Sequence, residues 1–197
     1  MTVGVPVGCD QSKVRLIRQF GANLEFLGRD MDETKELLTD ALSKESLFVE
    51  DGSTPEIYDG TSTIGLEIAK SLPEVEVVFV PVGNGALIGG IGSMLKEHNP
   101  DLEVVGVQSE AAPCMALSFQ AGRPLDTPNC DTFATGIAVR IAIPEAVTLM
   151  LEVVDRMIVV SERALKEAVG LFYEATGHLV EGATAAPLAG VAIQGIH

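Results

Sequence analysis

The sequence predicts an α/β protein, with a parallel or mostly parallel sheet and helices on both faces. Three observations carry this. From Val77 to Val82 every residue is apolar, the pattern of a strand buried on both faces of a parallel sheet. Strand-like and helical patterns alternate along the chain with short links, the grammar of βα units. Hydrophobic residues make up 47% of the 197 positions, enough for a core, while charged residues at 21% are ordinary for a soluble protein.

The elements follow in order. Thr2 to Val7 alternates like a short strand and stops at Gly8. Asp10 can cap a helix whose apolar positions Val14, Ile17 and Phe20 have helical spacing, closed by Gly21. Asn23 to Leu27 reads as a second strand. Asp30 or Asp32 caps the next helix, with Leu37, Leu38, Ala41 and Leu42 as its buried stripe, and Leu47 to Val49 reads as a third short strand. The turn-rich Asp51-Gly52-Ser53-Thr54-Pro55 marks a domain crossing, dividing residues 1–52 from 53–197. Glu56 to Leu72 is helical with an interruption expected at Gly60, and Pro73 ends it. The apolar strand follows, then a glycine turn and a helix with Leu87, Ile88, Ile91, Met94 and Leu95 at helical spacing. Leu102 to Val107 is a further buried strand, Pro113 to Ala121 a helix, and Gly122 to Thr135 a long irregular stretch of the kind often used as a functional loop. Pro144 to Leu151 is helical, Met157 to Val160 a strand, and Ser161 caps a helix closed by Gly177. The small, apolar run Ala183 to Ile196 reads as a helix packed tightly on the sheet.

Charge and cysteine usage narrow the function classes. Thirteen basic against 28 acidic residues give a net charge of −15. No Lys/Arg cluster offers the basic face that a nucleic-acid partner requires. No apolar run approaches a membrane span, so no membrane partner is expected. The three cysteines, Cys9, Cys114 and Cys130, form no CxxC pair, and the three histidines, His98, His178 and His197, do not cluster with them. A zinc site is therefore not expected, and a reducing cytoplasm is the simplest compartment.

The chemistry-bearing stretch is the strand–glycine–helix junction Val80-Pro81-Val82-Gly83-Asn84-Gly85-Ala86-Leu87. Free backbone N–H groups at a helix N-terminus, with the dipole's positive end, form a phosphate site, and glycines let the backbone approach the anion. A tight turn without a ligand has the same pattern. A dinucleotide reading competes as well: Gly83, Gly85 and Gly89 follow a strand and open a helix, and Glu110 closes the next strand about twenty-five residues on, where it would hold a ribose hydroxyl. The pattern alone leaves NAD and other phosphate cofactors nearly level, although dinucleotide folds usually carry this loop on the first strand of the domain.

The order of segments resembles the fold-type II pyridoxal-phosphate enzymes, the serine/threonine dehydratase and serine racemase group with a tryptophan synthase beta-like fold. Phe20-Gly21-Ala22-Asn23 resembles the family's "YGAEV" strand entry, and Ile57 to Ile68 its "I-x-G-Q-G-T-x-A-x-E-I". Val80 to Leu87 resembles the "VPVGGGGL" phosphate loop, and Val105 to Glu110 the "VIGVEPE" strand. Ala134-Thr135-Gly136-Ile137 is similar to "A-D-G-I", and Val180 to Ala186 to "VEPAGAAA". The collinear matches cover nearly the whole chain.

The resemblance implies a cofactor, pyridoxal 5′-phosphate, and the residues that hold it. The amides of Gly83, Asn84, Gly85, Ala86 and Leu87 would bind its phosphate, Gly136 would lie near its ring, and Glu181 near the ring's far side. Asn84 and Ala86 depart from the all-glycine pattern, which the cradle tolerates if neither position needs a positive φ. Some family members place a divalent metal near the position matched by Glu110; here Cys114 and Ala116 fall where further oxygen ligands would be needed, so no metal is expected. The family's cofactor-bonding lysine, in an "S-x-K-x-R-G" context, and its "S-x-x-N-H" substrate segment have no counterpart among these residues. No catalytic residue is assigned. The resemblance thus implies a lyase fragment truncated at both ends, with residues 1–52 a remnant of the small domain and 53–197 part of the large one. Full members act on small amino acids, eliminating a β-hydroxyl to give a 2-keto acid and ammonia; this chain alone is expected to be inactive, and to form a homo-oligomer or self-associate through exposed sheet edges. The alternatives are an NAD(P)-binding Rossmann-type oxidoreductase, and a non-catalytic phosphate-ligand module or subunit completed by a partner chain.

Overall fold

A computed structural model describes residues 1–41 and 46–195. The chain divides into two compact units, Met1–Val49 and Glu50–His197.

The first unit runs β1 (Thr2–Val5), α1 (Gln11–Gln19), β2 (Asn23–Phe26) and α2 (Met31–Ala41). The strands pair in parallel, in register from Thr2 opposite Asn23 to Val5 opposite Phe26. Asp10 caps α1: its carboxylate accepts the Ser12 N–H at 2.7 Å. Of the two candidate caps for α2 the chain uses Asp30, whose Oδ1 accepts the Glu33 N–H at 2.9 Å. Asp32 and Thr34 are the buried residues of α2. The expected stripe is not buried: Leu37 and Ala41 are exposed, Leu38 is half-buried, and Leu42 lies outside the described residues. Phe20, placed by its spacing on the buried face of α1, is 84% exposed. A two-stranded sheet is too narrow to cover the apolar stripes of both helices. Leu47 to Val49 forms no strand, and Leu47 is 88% exposed; with no ladder to join, three apolar residues stay irregular.

The second unit carries α3 (Pro55–Ser71), β3 (Val77–Pro81), α4 (Ala86–His98), β4 (Glu103–Ser109), α5 (Cys114–Ala121), a 3₁₀ turn (Thr135–Ile137), α6 (Pro144–Val153), β5 (Arg156–Val160), α7 (Glu162–Thr176) and α8 (Gly182–Gln194). Its sheet has the order β3-β4-β5, parallel throughout. Side chains alternate across the pleat and feed two cores. Val104 of β4 joins Val80, Ile88, Leu95, Met115 and Met150 in the core with α4, α5 and α6. Val105 and Val107 join Leu165, Ala168 and the alanines of α8 on the other face. This is the two-faced α/β layer that the sequence predicts.

Two helices differ from expectation. Helix α3 runs unbroken through Gly60, where nothing lies within 4 Å of an added Cβ; one exposed helical glycine costs only about 1 kcal/mol, which packing against α4 offsets. Helix α8 begins one residue earlier, at Gly182, and ends at Gln194; Ile196 lies outside the described residues. Its small residues let it lie close on the sheet: a Cβ on Gly190 would come within 2.8 Å of Val107 Cγ2.

Candidate phosphate-binding site

The site begins where β3 leaves the sheet. The Val82 N–H still bonds the Val107 carbonyl at 2.8 Å. The chain then turns through Gly83-Asn84-Gly85 into α4. Gly85 has φ +98°, a left-handed backbone that only glycine adopts without strain. A Cβ there would also come within 3.0 Å of Met150 Sδ and 3.3 Å of Met115 Cε. Among the described residues no non-glycine has a positive φ, so Asn84 and Ala86 fit the turn without strain. Asn84 nevertheless changes it: its buried side-chain Oδ1 accepts the Ala86 N–H at 3.1 Å. A first-turn amide that a phosphate would use is held by the chain's own side chain. Gly83 and Leu87 are half-buried, and Gly85 and Ala86 are buried.

The expected ring-side residues converge on this turn. A Cβ on Gly83 would stand 3.2 Å from the Gly136 carbonyl oxygen. A Cβ on Gly136 would stand 2.9 Å from both Glu181 Oε1 and Ala183 Cβ. Gly136 and Glu181 are both exposed. Three segments far apart in sequence therefore meet, and the two glycines are the positions where a side chain would fill the space between them. The lack of a Cβ at Gly83 and Gly136 lets these segments approach closely, and the left-handed Gly85 opens α4 with main-chain amides of the kind that can hold an anion.

The glycines inside α4 serve packing instead. A Cβ on Gly89 would lie 2.7 Å from the Tyr58 ring, one on Gly90 2.9 Å from Ser62 N, and one on Gly92 2.7 Å from Val153 Cγ2. These bring α3 and α6 against α4. Thr61 Oγ1 lies 3.1 Å from the Ala86 carbonyl, and the Tyr58 hydroxyl donates to the Gly52 carbonyl at 2.7 Å. Burial pushes the Tyr58 hydroxyl up from its ordinary pKa, with the carboxylates of Glu145, Asp51 and Glu50 adding to it.

Among the described residues of the second unit, no lysine stands at the turn. Lys96 lies ten residues beyond Ala86 along α4, about 15 Å away at the helical rise, and bonds Asp155 at 2.8 Å. Lys70 sits in the last turn of α3, and Lys166 Nζ stands 5.5 Å from the Phe133 ring centroid. Lys13 and Lys35 belong to the first unit, and Lys44 lies outside the described residues. Cys114 is fully buried and Glu110 exposed. Among the described residues no three His, Cys, Asp or Glu side chains cluster as a metal site would require.

Sequence reasoning missed Glu162. This first residue of α7 accepts Ser109 Oγ at 2.5 Å, Thr132 Oγ1 at 2.7 Å and the Phe133 N–H at 3.1 Å. Burial opposes its ionisation, but the hydrogen bonds from Ser109, Thr132 and Phe133, with Lys166 nearby, outweigh burial and hold its carboxyl below the usual range. Its partners lie 53 and 30 residues away, so no local pattern reveals them.

A parallel sheet whose glycine turn opens a helix, walled by a second glycine and a carboxylate from later segments, is a candidate main-chain anion site in an α/β fold. Residues 1–196 match the family described as "Pyridoxal-phosphate dependent enzyme", and the chain belongs to it. L-threonine ammonia-lyase from Geobacter sulfurreducens is 35% identical over 189 residues, covering 95% of this chain and 47% of that protein. L-threonine ammonia-lyase from Thermotoga maritima is 36% identical over 191 residues, covering 96% and 48%. Among solved structures, processed threonine deaminase isoform 2 from Solanum lycopersicum superposes with a TM-score of 0.85 at 29% identity, covering 97% of this chain and 56% of that one. The chain spans about half the length of the curated relatives it matches. The match favours the pyridoxal-phosphate reading of the loop over the dinucleotide one.

Proposed function

We propose that this chain is the phosphate-gripping part of a pyridoxal-phosphate-dependent amino-acid lyase of the threonine-dehydratase type, and that on its own it holds the cofactor through the phosphate without turning over substrate. The convergence of Gly83, Gly136 and Glu181 carries this reading. Residues 1–52 stand as the remnant of a small domain and 53–197 as part of the large, cofactor-holding one. Bound pyridoxal phosphate supplies an electron sink for charge developing at an amino acid's α-carbon. The chain's own contribution is binding and orientation. The amides of Gly83, Asn84, Gly85 and Leu87 would hold the phosphate, and that of Ala86 would join them only if the Asn84 side chain released it. Gly136 lines the ring side without a Cβ, and Glu181 sets a carboxylate at the edge of that space. Among the described residues of the second unit, no lysine stands near this turn to perform the α-proton transfer that elimination requires.

Turnover would need a further segment bearing the cofactor-bonding lysine motif, which these residues do not contain. Strand β3 ends the described sheet with one edge unpaired, a surface suited to strand addition or self-association. The substrate class that follows is a small β-hydroxy amino acid, and the compartment a reducing cytoplasm.

The test compares equilibrium binding of pyridoxal phosphate with that of pyridoxal, then treats the mixture with borohydride and maps peptides. The expected result is binding that needs the phosphate and is competed by inorganic phosphate, with no dominant lysine adduct. Equal binding of pyridoxal, or one dominant adduct that inorganic phosphate suppresses, would overturn the reading.

A further inference from the structure

Three segments of the second unit meet at one carboxylate. The donors to Glu162 are not interchangeable hydroxyls. Ser109 Oγ accepts the Ala111 N–H at 3.0 Å, and Thr132 Oγ1 accepts the Ala134 N–H at 3.1 Å. Each hydroxyl therefore directs its own proton to Glu162 Oε1, while the Phe133 N–H goes to Oε2. Ser109 is fully buried and Thr132 nearly so. A carboxylate accepting three bonds from aligned donors forms a stiff, charge-assisted junction.

What the junction holds is the 3₁₀ turn that carries Gly136. Phe133 and Ala134 are bound through Glu162 and Thr132, the Phe133 ring lies against Gly182, and Lys166 covers that ring. Two residues on, the Gly136 carbonyl forms the wall beside Gly83. The clearance between the glycine turn and that wall is thus set by where α7 places Glu162.

We infer that Glu162 is a positioning residue for the cofactor site: it clamps the turn at residues 132–137 so that Gly136 keeps its place beside Gly83 and Glu181. It touches neither cofactor nor substrate. The inference rests on the proposed reading of the site for its ligand, but not for the clamp itself, and the experiment separates the two.

The variants are Glu162→Gln, which keeps the shape and removes the charge, and Thr132→Val, which removes one donor at constant volume. Glu167→Gln, at an exposed ion pair with Arg163, is the control. Hydrogen exchange on the full chain reads the clamp. Both site variants are expected to speed exchange of the amides from Phe133 to Ile137 by about tenfold or more while α4 and β4 keep their rates. Binding of pyridoxal phosphate reads the consequence: affinity falls about tenfold in Glu162→Gln, with Tm within about 4 °C of the parent. Unchanged exchange at 133–137, or a uniform rise across the unit in both variants, overturns the clamp. A local rise in exchange with unchanged affinity in a parent that binds overturns the positioning role. Should the parent not bind pyridoxal phosphate at all, the proposed function fails while the exchange data still decide the clamp.

Discussion

The glycines of the turn and the glycines of the helix it opens make an instructive pair. Gly83 and Gly85 lie in the segment that reverses the chain out of β3; Gly89, Gly90 and Gly92 lie within two turns of them on α4. The residue type is the same and the physical use differs. In the turn, glycine supplies a left-handed φ at Gly85 and lets the Gly136 carbonyl approach Gly83 closely. In the helix, it removes side chains so that α3 and α6 can close on α4. A glycine-rich string is thus half candidate ligand site and half helix packing, and substitution separates the halves.

The largest effect is expected in the packing half. In Gly90→Ala the new Cβ would meet the Thr61 side chain and the backbone at Tyr58 and Ser62. Backbone cannot yield cheaply, so stability should fall by about 3 kcal/mol, roughly 6–12 °C in Tm. A Tm unchanged by that substitution would remove the packing role. Gly85→Ala comes next. The strained φ and the contact with Met150 should cost about 1–2 kcal/mol, and pyridoxal phosphate affinity should drop out of proportion to that loss. An affinity that merely tracks stability would place Gly85 with the packing glycines.

Asn84→Gly sharpens the comparison from the other side. Removing the side chain frees the Ala86 N–H and gives up a hydrogen bond worth about 1 kcal/mol. Phosphate should bind severalfold more tightly to a slightly less stable protein; weaker binding would make Asn84 a ligand donor instead of a competitor. The smallest effect is in acid. The folded pKa values of Glu162 and Asp155 are lowered: for Glu162 by hydrogen bonds that overcome burial, and for Asp155 by Lys96 and the Val104 N–H against burial. Their stabilisation is complete above the ordinary values of 4.5 and 3.8 and is lost as pH falls through the lowered ones. Acid titrations of the parent and Glu162→Gln should converge below that window. A constant gap down to the lowest pH would mean that ionisation of Glu162 contributes nothing.

Much of the fold was legible because its signals are local. The apolar run at Val77–Val82, the caps at Asp10 and Ser161 and the closing Gly177 each act within a few residues, and each stands where expected. Errors arose where tertiary context decides. Gly60 breaks no helix because α4 supports α3, Leu47–Val49 forms no strand because no ladder receives it, and Phe20 stays exposed because little of the first unit covers it. The site was legible in parts, through the turn and the positions matched at Gly136 and Glu181, but not in its assembly. Neither the capture of the Ala86 amide by Asn84 nor the Glu162 junction leaves a periodic trace, the latter because its donors come from distant segments.

The central claim is that Gly83 and Gly85 serve an anion while Gly89, Gly90 and Gly92 serve packing. The most direct measurement is an amide spectrum of the ¹⁵N-glycine-labelled chain titrated with inorganic phosphate. The account predicts saturable shifts of Gly83 and Gly85, smaller ones at Gly136, and none at Gly90 and Gly92. Static turn resonances, or shifts spread equally over all the glycines of the string, would contradict it.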